Sequence, residues 1–247
     1  MQEAKRVPRR STARDFLFNT ALGGLSLKKI CAMFGETSSK GTRLLDLEAV
    51  PIPPGSVTIR AERRFTEREF YHFCTKNPKI QAELDQHGNL LVMPPVHPDS
   101  GAHEFEATGQ LYNWHKHFAQ GRAFSPSTAF KLPDGSVRSG DGAWVGPERM
   151  AQYVPGEDGE FSVLVPDLVI EIRSATDRLA KARQKMTETW IKNGVRLAWL
   201  IDPQHQQAYI YRADGSEEVV TSFDGVLSGE AVCPGLALEL RFFKSNP

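Results

Sequence analysis

The sequence has 247 residues, of which 40% are hydrophobic and 24% charged, and 30 basic residues balance 30 acidic ones. Such values are typical of a globular protein, and zero net charge argues against a uniformly basic nucleic-acid-binding surface, although not against a local basic groove. The three cysteines, Cys31, Cys74 and Cys233, form no Cys-x-x-Cys pair, which indicates a reducing, cytoplasmic setting rather than a disulfide framework or a thiolate zinc site. No long uncharged apolar run is present, so we expect no membrane span.

Residues 1–50 differ in composition from the rest of the chain, and we interpret them as a flexible N-terminal extension. Basic residues crowd the start, and Lys28 and Lys29 interrupt the following apolar stretch, so a signal peptide is not indicated. A transit peptide and a translation start at Met33 are the alternatives. The segment Val50-Pro-Ile-Pro-Pro-Gly55 has the composition of a linker, and we expect residues 51–247 to form one folded domain.

The first half of this domain predicts two helices and two hairpins. Thr66-Glu-Arg-Glu69 is a capping-box pattern that opens a helix over Glu67–Lys76. Strands at Gln81–Leu84 and Leu90–Met93 flank a turn around Gly88. Apolar residues at helical spacing predict a second helix over residues 103–118, and Pro133-Asp134-Gly135 predicts a tight turn between strands at 129–132 and 137–145.

The second half predicts a loop at 146–161, a buried strand at Leu168–Ile172 and a helix over 177–192. Thr176 or Asp177 would cap this helix, and Gly194 would close it. Strands follow at 196–201 and 208–212, and a further strand pair lies in the tail, which ends in 236–243. This order of elements predicts an α/β fold with a mixed sheet and helices on its faces.

Two carboxylates lie in the most apolar strand of the sequence. Asp167, Glu171 and Arg173 share one face, because successive strand residues point to opposite sides. A buried ionised carboxylate without a partner is costly or shifts its pKa. We therefore expect a metal ion or a basic side chain beside this face.

Asp141 and Glu171 are the candidates for binding a divalent cation through oxygen ligands, since their predicted strands are adjacent. The alternative for Asp141, which would share a strand face with Ala143 and Val145, is a locally hydrogen-bonded acid. The alternative for Glu171 is a buried salt bridge, to Arg173 or Arg196. For Asp167, at the start of the strand, a turn or cap role fits at least as well as a catalytic one.

Lys185 is the candidate basic residue. It lies at the border of an apolar helical stripe that includes Met186 and Trp190. From there it can lay its stem along the sheet and bring its ammonium near Glu171; the alternative is an ordinary lysine on a helix flank.

Five segments together closely resemble the Uma-two (Uma2) family of endonucleases, in the restriction-endonuclease-like PD-(D/E)XK superfamily. They are Arg138-Ser-Gly-Asp-Gly-Ala-Trp-Val145, Val165-Pro-Asp-Leu-Val-Ile-Glu-Ile-Arg-Ser174, Thr176-Asp-Arg-Leu179, Lys185-Met186 and Asn193-Gly-Val-Arg-Leu-Ala-Trp-Leu-Ile-Asp-Pro203. The resemblance extends upstream through Gly88-Asn-Leu-Leu-Val-Met-Pro-Pro95 and downstream through Ser228-Gly-Glu230. Residues 1–50 lie outside it.

The resemblance implies a restriction-endonuclease-like core, with a mixed central β-sheet flanked by helices and added β-hairpins. Asp141 and Glu171 would bind Mg²⁺ (or Mn²⁺), and Lys185 would be the superfamily lysine, moved from the strand onto the following helix. Glu106 would match the acid that many superfamily members carry on their first core helix. The implied activity is metal-dependent cleavage of DNA, and related nucleases suggest a homodimer by analogy.

The sequence departs from the family pattern at three positions. Gly140 stands where a proline usually precedes Asp141, and we expect it to loosen the approach to that carboxylate. Ala175 replaces a proline, and Arg173 occupies the strand position of the superfamily lysine. The alternative function is a non-catalytic nucleic-acid-binding or interaction protein on the same fold. Neutral net charge favours that alternative, whereas retention of all three candidate residues favours the enzyme.

Overall fold

The computed structural model describes residues 57–59, 64–157 and 160–244. The predicted N-terminal extension and linker lie outside these residues. The strands are β1 (Val57–Ile59), β2 (Gln81–Leu84), β3 (Leu90–Met93), β4 (Arg122–Phe124), β5 (Phe130–Lys131), β6 (Val137–Arg138), β7 (Gly142–Val145), β8 (Leu168–Ile172), β9 (Leu197–Asp202), β10 (Gln207–Arg212), β11 (Glu217–Val220), β12 (Val226–Ser228) and β13 (Ala237–Glu239).

Four helices accompany these strands in the part of the chain that the structure describes. They are α1 (Glu67–Lys76), α2 (Pro98–Phe118), α3 (Pro147–Ala151) and α4, which starts as Leu179–Gln184, passes through a π-helical turn at Lys185–Trp190 and ends in a 3₁₀ turn at Ile191–Asn193. A 3₁₀ turn also forms at Leu240–Phe243. No helix of the described residues has the length and apolar character needed to cross a bilayer.

A six-stranded mixed sheet, in the order β11-β10-β9-β8-β7-β4, forms the centre of the molecule. Strands β8 and β9 are parallel, and the other neighbours are antiparallel. A parallel pair needs a crossover connection, and α4 provides it. The predicted α/β fold with a mixed sheet is confirmed.

The two faces of this sheet carry different layers. Leu168 and Ile170 of β8 pack on the side of α2 and the C-terminal strands, whereas Val169 packs against Met186 and Trp190 of α4. Because strand residues alternate between faces, Glu171 follows Val169 and points towards α4. The direction of Glu171 is therefore fixed by the burial of its apolar neighbours.

A second sheet, in the order β1-β3-β2-β6-β5, has its own core beneath α1. The predicted capping box is confirmed, because Thr66 and Glu69 each accept a hydrogen bond from the backbone N–H of the other. The predicted β2–β3 hairpin is also confirmed. Its turn contains Gly88 at φ +72°, where an added Cβ would lie 2.6 Å from Arg64 Cβ, so only glycine fits.

The prediction of one strand over 137–145 is wrong. β6 belongs to the second sheet and β7 to the central sheet, and the chain crosses between them at residues 139–141. Asp141 therefore lies at the junction of the sheets and shares no strand face with Ala143 and Val145. At Gly140 an added Cβ would lie 2.8 Å from Val169 Cγ1, so the glycine allows the crossing chain to press closely against β8.

Smaller differences concern element ends. The predicted loop at 146–161 contains α3, and α2 begins at Pro98, earlier than predicted. Helix α4 begins at Leu179 without a side-chain cap, because Asp177 instead accepts hydrogen bonds from the backbone and hydroxyl of Ser174. Gly194, at φ +97°, closes the helix as predicted.

Candidate active site

The structure brings Asp141, Glu171 and Lys185 together where the two sheets meet. Lys185 Nζ lies 2.8 Å from Glu171 Oε1. The backbone N–H of Ile172, the residue after Glu171, donates to Asp141 Oδ2 at 2.6 Å. Both carboxylates thus lie at the same end of β8, and the Lys185 side chain is 26% exposed and the Glu171 side chain 13%, so the cluster is reachable from solvent.

The π-helical turn of α4 explains how two of its residues reach the same acid. Trp190 Nε1 donates to Glu171 Oε1 at 2.7 Å, the oxygen that Lys185 also contacts. Residues five apart lie about 140° apart on an α-helix, but the i→i+5 repeat of a π-helical turn aligns them. The turn therefore places Lys185 and Trp190 side by side over Glu171.

Each of the two acids keeps one oxygen without a donor among the described residues. Both contacts of Glu171 reach Oε1, which leaves Oε2, and the hydrogen bond to Asp141 reaches Oδ2, which leaves Oδ1. Carboxylate oxygens suit Mg²⁺, which commonly binds one or two carboxylates and keeps several waters. Within the described ranges, no group of three or more His, Cys, Asp and Glu side chains is arranged to hold a metal ion, so water or substrate would complete the shell of an ion at Asp141 and Glu171.

Glu83 of β2 is a member of this cluster that the sequence did not reveal. It is 3% exposed, and its Oε1 lies 3.2 Å from Lys185 Nζ while its Oε2 lies 3.0 Å from Arg138 Nη1. The alternation of Gln81 and Glu83 with Ala82 and Leu84 indicates a strand with one solvated face. Glu83 is buried only because the crossing chain and α4 cover that face.

The ionisation of the acids reflects burial and mutual repulsion. Burial, helped by the charge of Glu104, raises the pKa of Asp141 to about 7. Burial, helped by the charges of Asp141 and Glu83, likewise raises the pKa of Glu171 to about 7, although Lys185 opposes this. Two neighbouring carboxyls that resist ionisation at neutral pH would gain from a divalent cation between them.

Glu83 and Lys185 are both held in their charged forms. Burial opposes the ionisation of Glu83, but Lys185 and Arg138 outweigh it and keep the pKa of Glu83 below its usual value. Burial also opposes the charging of Lys185, but Glu171 and Glu83 outweigh it and raise the pKa of Lys185 above its ordinary value. Lys185 is therefore a stable cation at neutral pH.

The structure does not bring Glu106 into this cluster. Its carboxylate accepts a hydrogen bond from Gln110, whose amide also binds the backbone of Glu239. Glu104 is the acid of α2 that acts on the site: burial, and then the charge of Glu171, raise the pKa of Glu104. Positions two apart differ by about 200° around a helix, so the two glutamates face opposite sides of α2.

The other charged residues of the β8 region have separate partners. Asp167 accepts from Gly146 N at 2.6 Å and pairs with Arg149 at 3.2 Å, which ties the start of β8 to α3. Arg173 pairs with Asp202 at 2.7 Å. The basic partner of Glu171 is accordingly Lys185, and neither Arg173 nor Arg196 is in contact with it.

These elements define a mixed α/β protein whose central six-stranded sheet carries the candidate site. A crystal structure from Anabaena variabilis, described as a "putative nuclease belonging to DUF820", matches with a TM-score of 0.59 and 23% sequence identity, covering 72% of this chain and 97% of that one. At this identity the match shows a shared fold.

The family itself follows from the sequence match. The model of the Uma2 family, described as "Putative restriction endonuclease", matches residues 68–241. The chain belongs to the Uma2 family, and the resemblance seen in its motifs is confirmed. No curated protein matches the sequence at a significant level.

Proposed function

We propose that the protein is a metal-dependent endonuclease that hydrolyses phosphodiester bonds in DNA, with Asp141 and Glu171 holding Mg²⁺ or Mn²⁺ and Lys185 assisting the attacking water. One observation carries the proposal. Two partly buried carboxylates that interact electrostatically, each with an oxygen that no donor of the described residues contacts, lie beside a lysine ammonium in a chain of a nuclease family.

The residues present fit a hard divalent cation. The oxygens of Asp141 and Glu171 are the ligand type that Mg²⁺ prefers, and each acid is oriented by a hydrogen bond to its other oxygen. A cation held there would supply Lewis-acid activation and neutralise charge on the scissile phosphate. Hydrogen bonds like those from Ile172 and Trp190 to the two acids orient metal ligands and tune the affinity of the site for the metal.

Lys185 contributes a fixed positive charge. Its ammonium has three donors, and these face Glu171, Glu83 and the carbonyl of Ser139, at 2.8, 3.2 and 3.2 Å. A hydrogen bond from Lys185 to a water or a phosphate oxygen would replace one of these contacts. Because its pKa is raised, Lys185 would orient water and offset phosphate charge as a cation, and would not remove a proton as a base.

Cleavage of supercoiled plasmid tests this function, since nicked and linear products reveal an endonuclease. We expect cleavage with Mg²⁺ or Mn²⁺ and none with EDTA. Asp141→Asn and Glu171→Gln should each lose at least ~100-fold in rate, since removing a residue that only orients a metal ligand already costs about 10- to 100-fold. Glu188→Gln removes an exposed acid of α4 and should cleave normally. Wild-type rates in both site variants, or no cleavage with any divalent metal, would sink the assignment.

A non-catalytic nucleic-acid-binding or interaction protein is the second candidate. Zero net charge favours its second form, an interaction protein, because tight binding of DNA usually relies on basic surface. Metal-independent and salt-sensitive DNA binding without cleavage would be the signature of the nucleic-acid-binding form.

Cellular location and assembly stay predictions. Cysteine usage predicts a reducing, cytoplasmic setting, and Cys74 and Cys233 are both free thiols in the structure. A homodimer rests on analogy with related nucleases, and light scattering of the purified chain would decide it.

A further inference from the structure

We infer that Glu83 is a positioning residue of the active site, which holds the Lys185 ammonium and the chain at residues 139–141 in place from the second sheet. This inference rests on the proposed nuclease function, and it gives the β2–β3 hairpin a role in positioning the active-site residues. Glu83 lies on β2, outside the central sheet that carries Glu171.

Both oxygens of Glu83 accept hydrogen bonds. Oε1 accepts from the backbone N–H of Ser139 at 3.1 Å and from Lys185 at 3.2 Å, and Oε2 accepts from Arg138 at 3.0 Å. This distinguishes Glu83 from Asp141 and Glu171, which each keep one oxygen without a donor among the described residues. The pattern suits an acid that orders other groups and does not itself bind a ligand.

Glu83, Ser139 and Lys185 form a closed ring of hydrogen bonds, in which each residue contacts the other two. Ser139 donates its N–H to Glu83, and its carbonyl accepts from Lys185 at 3.2 Å. Asp141 follows two residues later and is held on its other side by the backbone of Ile172. The position of Asp141 is thus set between β8 and the Glu83 ring.

Charge balance alone does not require the Glu83–Lys185 contact. Arg138 already neutralises Glu83, and Glu171 already pairs with Lys185. Buried ion pairs are weak sources of net stability. The additional contact between Glu83 and Lys185 is therefore not explained by stability alone. Holding Lys185 between two acids keeps its ammonium at a defined point beside Glu171.

The test combines rates with an unfolding cycle on the full chain. Glu83→Gln removes the charge and keeps the shape; Glu83→Asp keeps the charge that Arg138 needs and withdraws the oxygens by about 1.5 Å. Glu188→Gln is the control, because it breaks an exposed ion pair with Lys192 on the same helix. We expect Glu83→Gln and Glu83→Asp to lower kcat by roughly 10- to 100-fold, as misplacement of catalytic groups by about 1 Å does, with little change in KM.

The unfolding cycle uses Glu83→Gln, Lys185→Met and the double variant, without added metal. We expect strongly non-additive losses of stability, because the two side chains share one contact. If Glu83→Gln does not fold, Glu83→Asp takes its place in the cycle. Additive losses in this cycle would overturn the inference.

The two proposals fail in different ways. Wild-type protein that cleaves no DNA would contradict the nuclease assignment. The unfolding cycle would still measure the coupling energy between Glu83 and Lys185. Active wild-type protein whose Glu83→Gln and Glu83→Asp variants match Glu188→Gln in kcat would end the inference and leave the nuclease intact.

Discussion

Replacing Trp190 by phenylalanine tests how the site orients Glu171. The change removes the indole N–H that donates to Glu171 Oε1 at 2.7 Å and keeps an aromatic ring in the buried space. Hydrogen bonds to charged groups contribute about 1.5–3 kcal/mol. Loss of a contact that orients a metal ligand typically lowers affinity about 10- to 100-fold, so we expect Trp190→Phe to weaken Mn²⁺ binding by that factor.

Trp199→Phe is the matched control. Trp199 is also fully buried, but its Nε1 has no hydrogen-bond partner within the described part of the chain. Both substitutions remove similar volume from one side or the other of the central sheet. The difference between them therefore reports the loss of the Trp190–Glu171 hydrogen bond, together with any change in the contact of Lys185 Nζ with the aromatic ring, whose centroid lies 5.7 Å away in the wild type. Calorimetric titration of Mn²⁺ and urea unfolding of both variants measure it. Equal Mn²⁺ affinities in the two variants would refute the orienting role of Trp190.

Three further predictions concern pH, packing and the acid on α2. The pKa values of Asp141 and Glu171 are raised to about 7, so between about pH 5 and 7 the folded protein binds more protons than the unfolded chain. The free energy of unfolding without metal should therefore fall as pH rises from about 5 to 7. Mg²⁺ affinity should rise from about pH 6 to 8, because the two carboxyls lose their protons over this range. Asp141→Asn should flatten both curves. Gly140→Ala would place a Cβ 2.8 Å from Val169 Cγ1 and should lower the free energy of unfolding by about 1–3 kcal/mol. Gly109→Ala on α2, whose Cβ would meet nothing within 4 Å, should raise it by about 0.5–1 kcal/mol. Urea unfolding of both variants measures the difference. Glu104→Gln should shift the pH–rate profile to lower pH, since the charge of Glu104 raises the pKa of Asp141, and a similar shift in Glu106→Gln would contradict the assignment of faces on α2.

The parts of the site that the sequence predicted are those fixed by local pattern or by family motif. The apolar run around Glu171 identifies β8, and alternation along the strand sets the direction of its side chains. The motif match placed Asp141 and Lys185 in the same site, and the structure brings both to the end of β8.

The missing parts depend on contacts between distant segments. Glu83 lies on a strand whose alternation indicates solvent exposure, and only its burial under residues 139–141 and α4 makes it part of the site. The prediction of one strand over 137–145 followed its apolar ends, which each pair in their own sheet. It passed over the residues at 139–142, Ser-Gly-Asp-Gly, which are types that favour turns. Ideal helical geometry also misplaces Lys185 relative to Trp190, since the π-helical turn has no sequence signature that we could use.

Anomalous diffraction from Mn²⁺-soaked crystals tests the central claim most directly. We predict one strong peak in contact with both Asp141 and Glu171, at the 2.0–2.2 Å distances typical of small divalent cations bound to oxygen, with Lys185 still beside Glu171. A Mn²⁺ ion bound by only one of these carboxylates, or bound elsewhere while the site residues stay unchanged, would contradict the account.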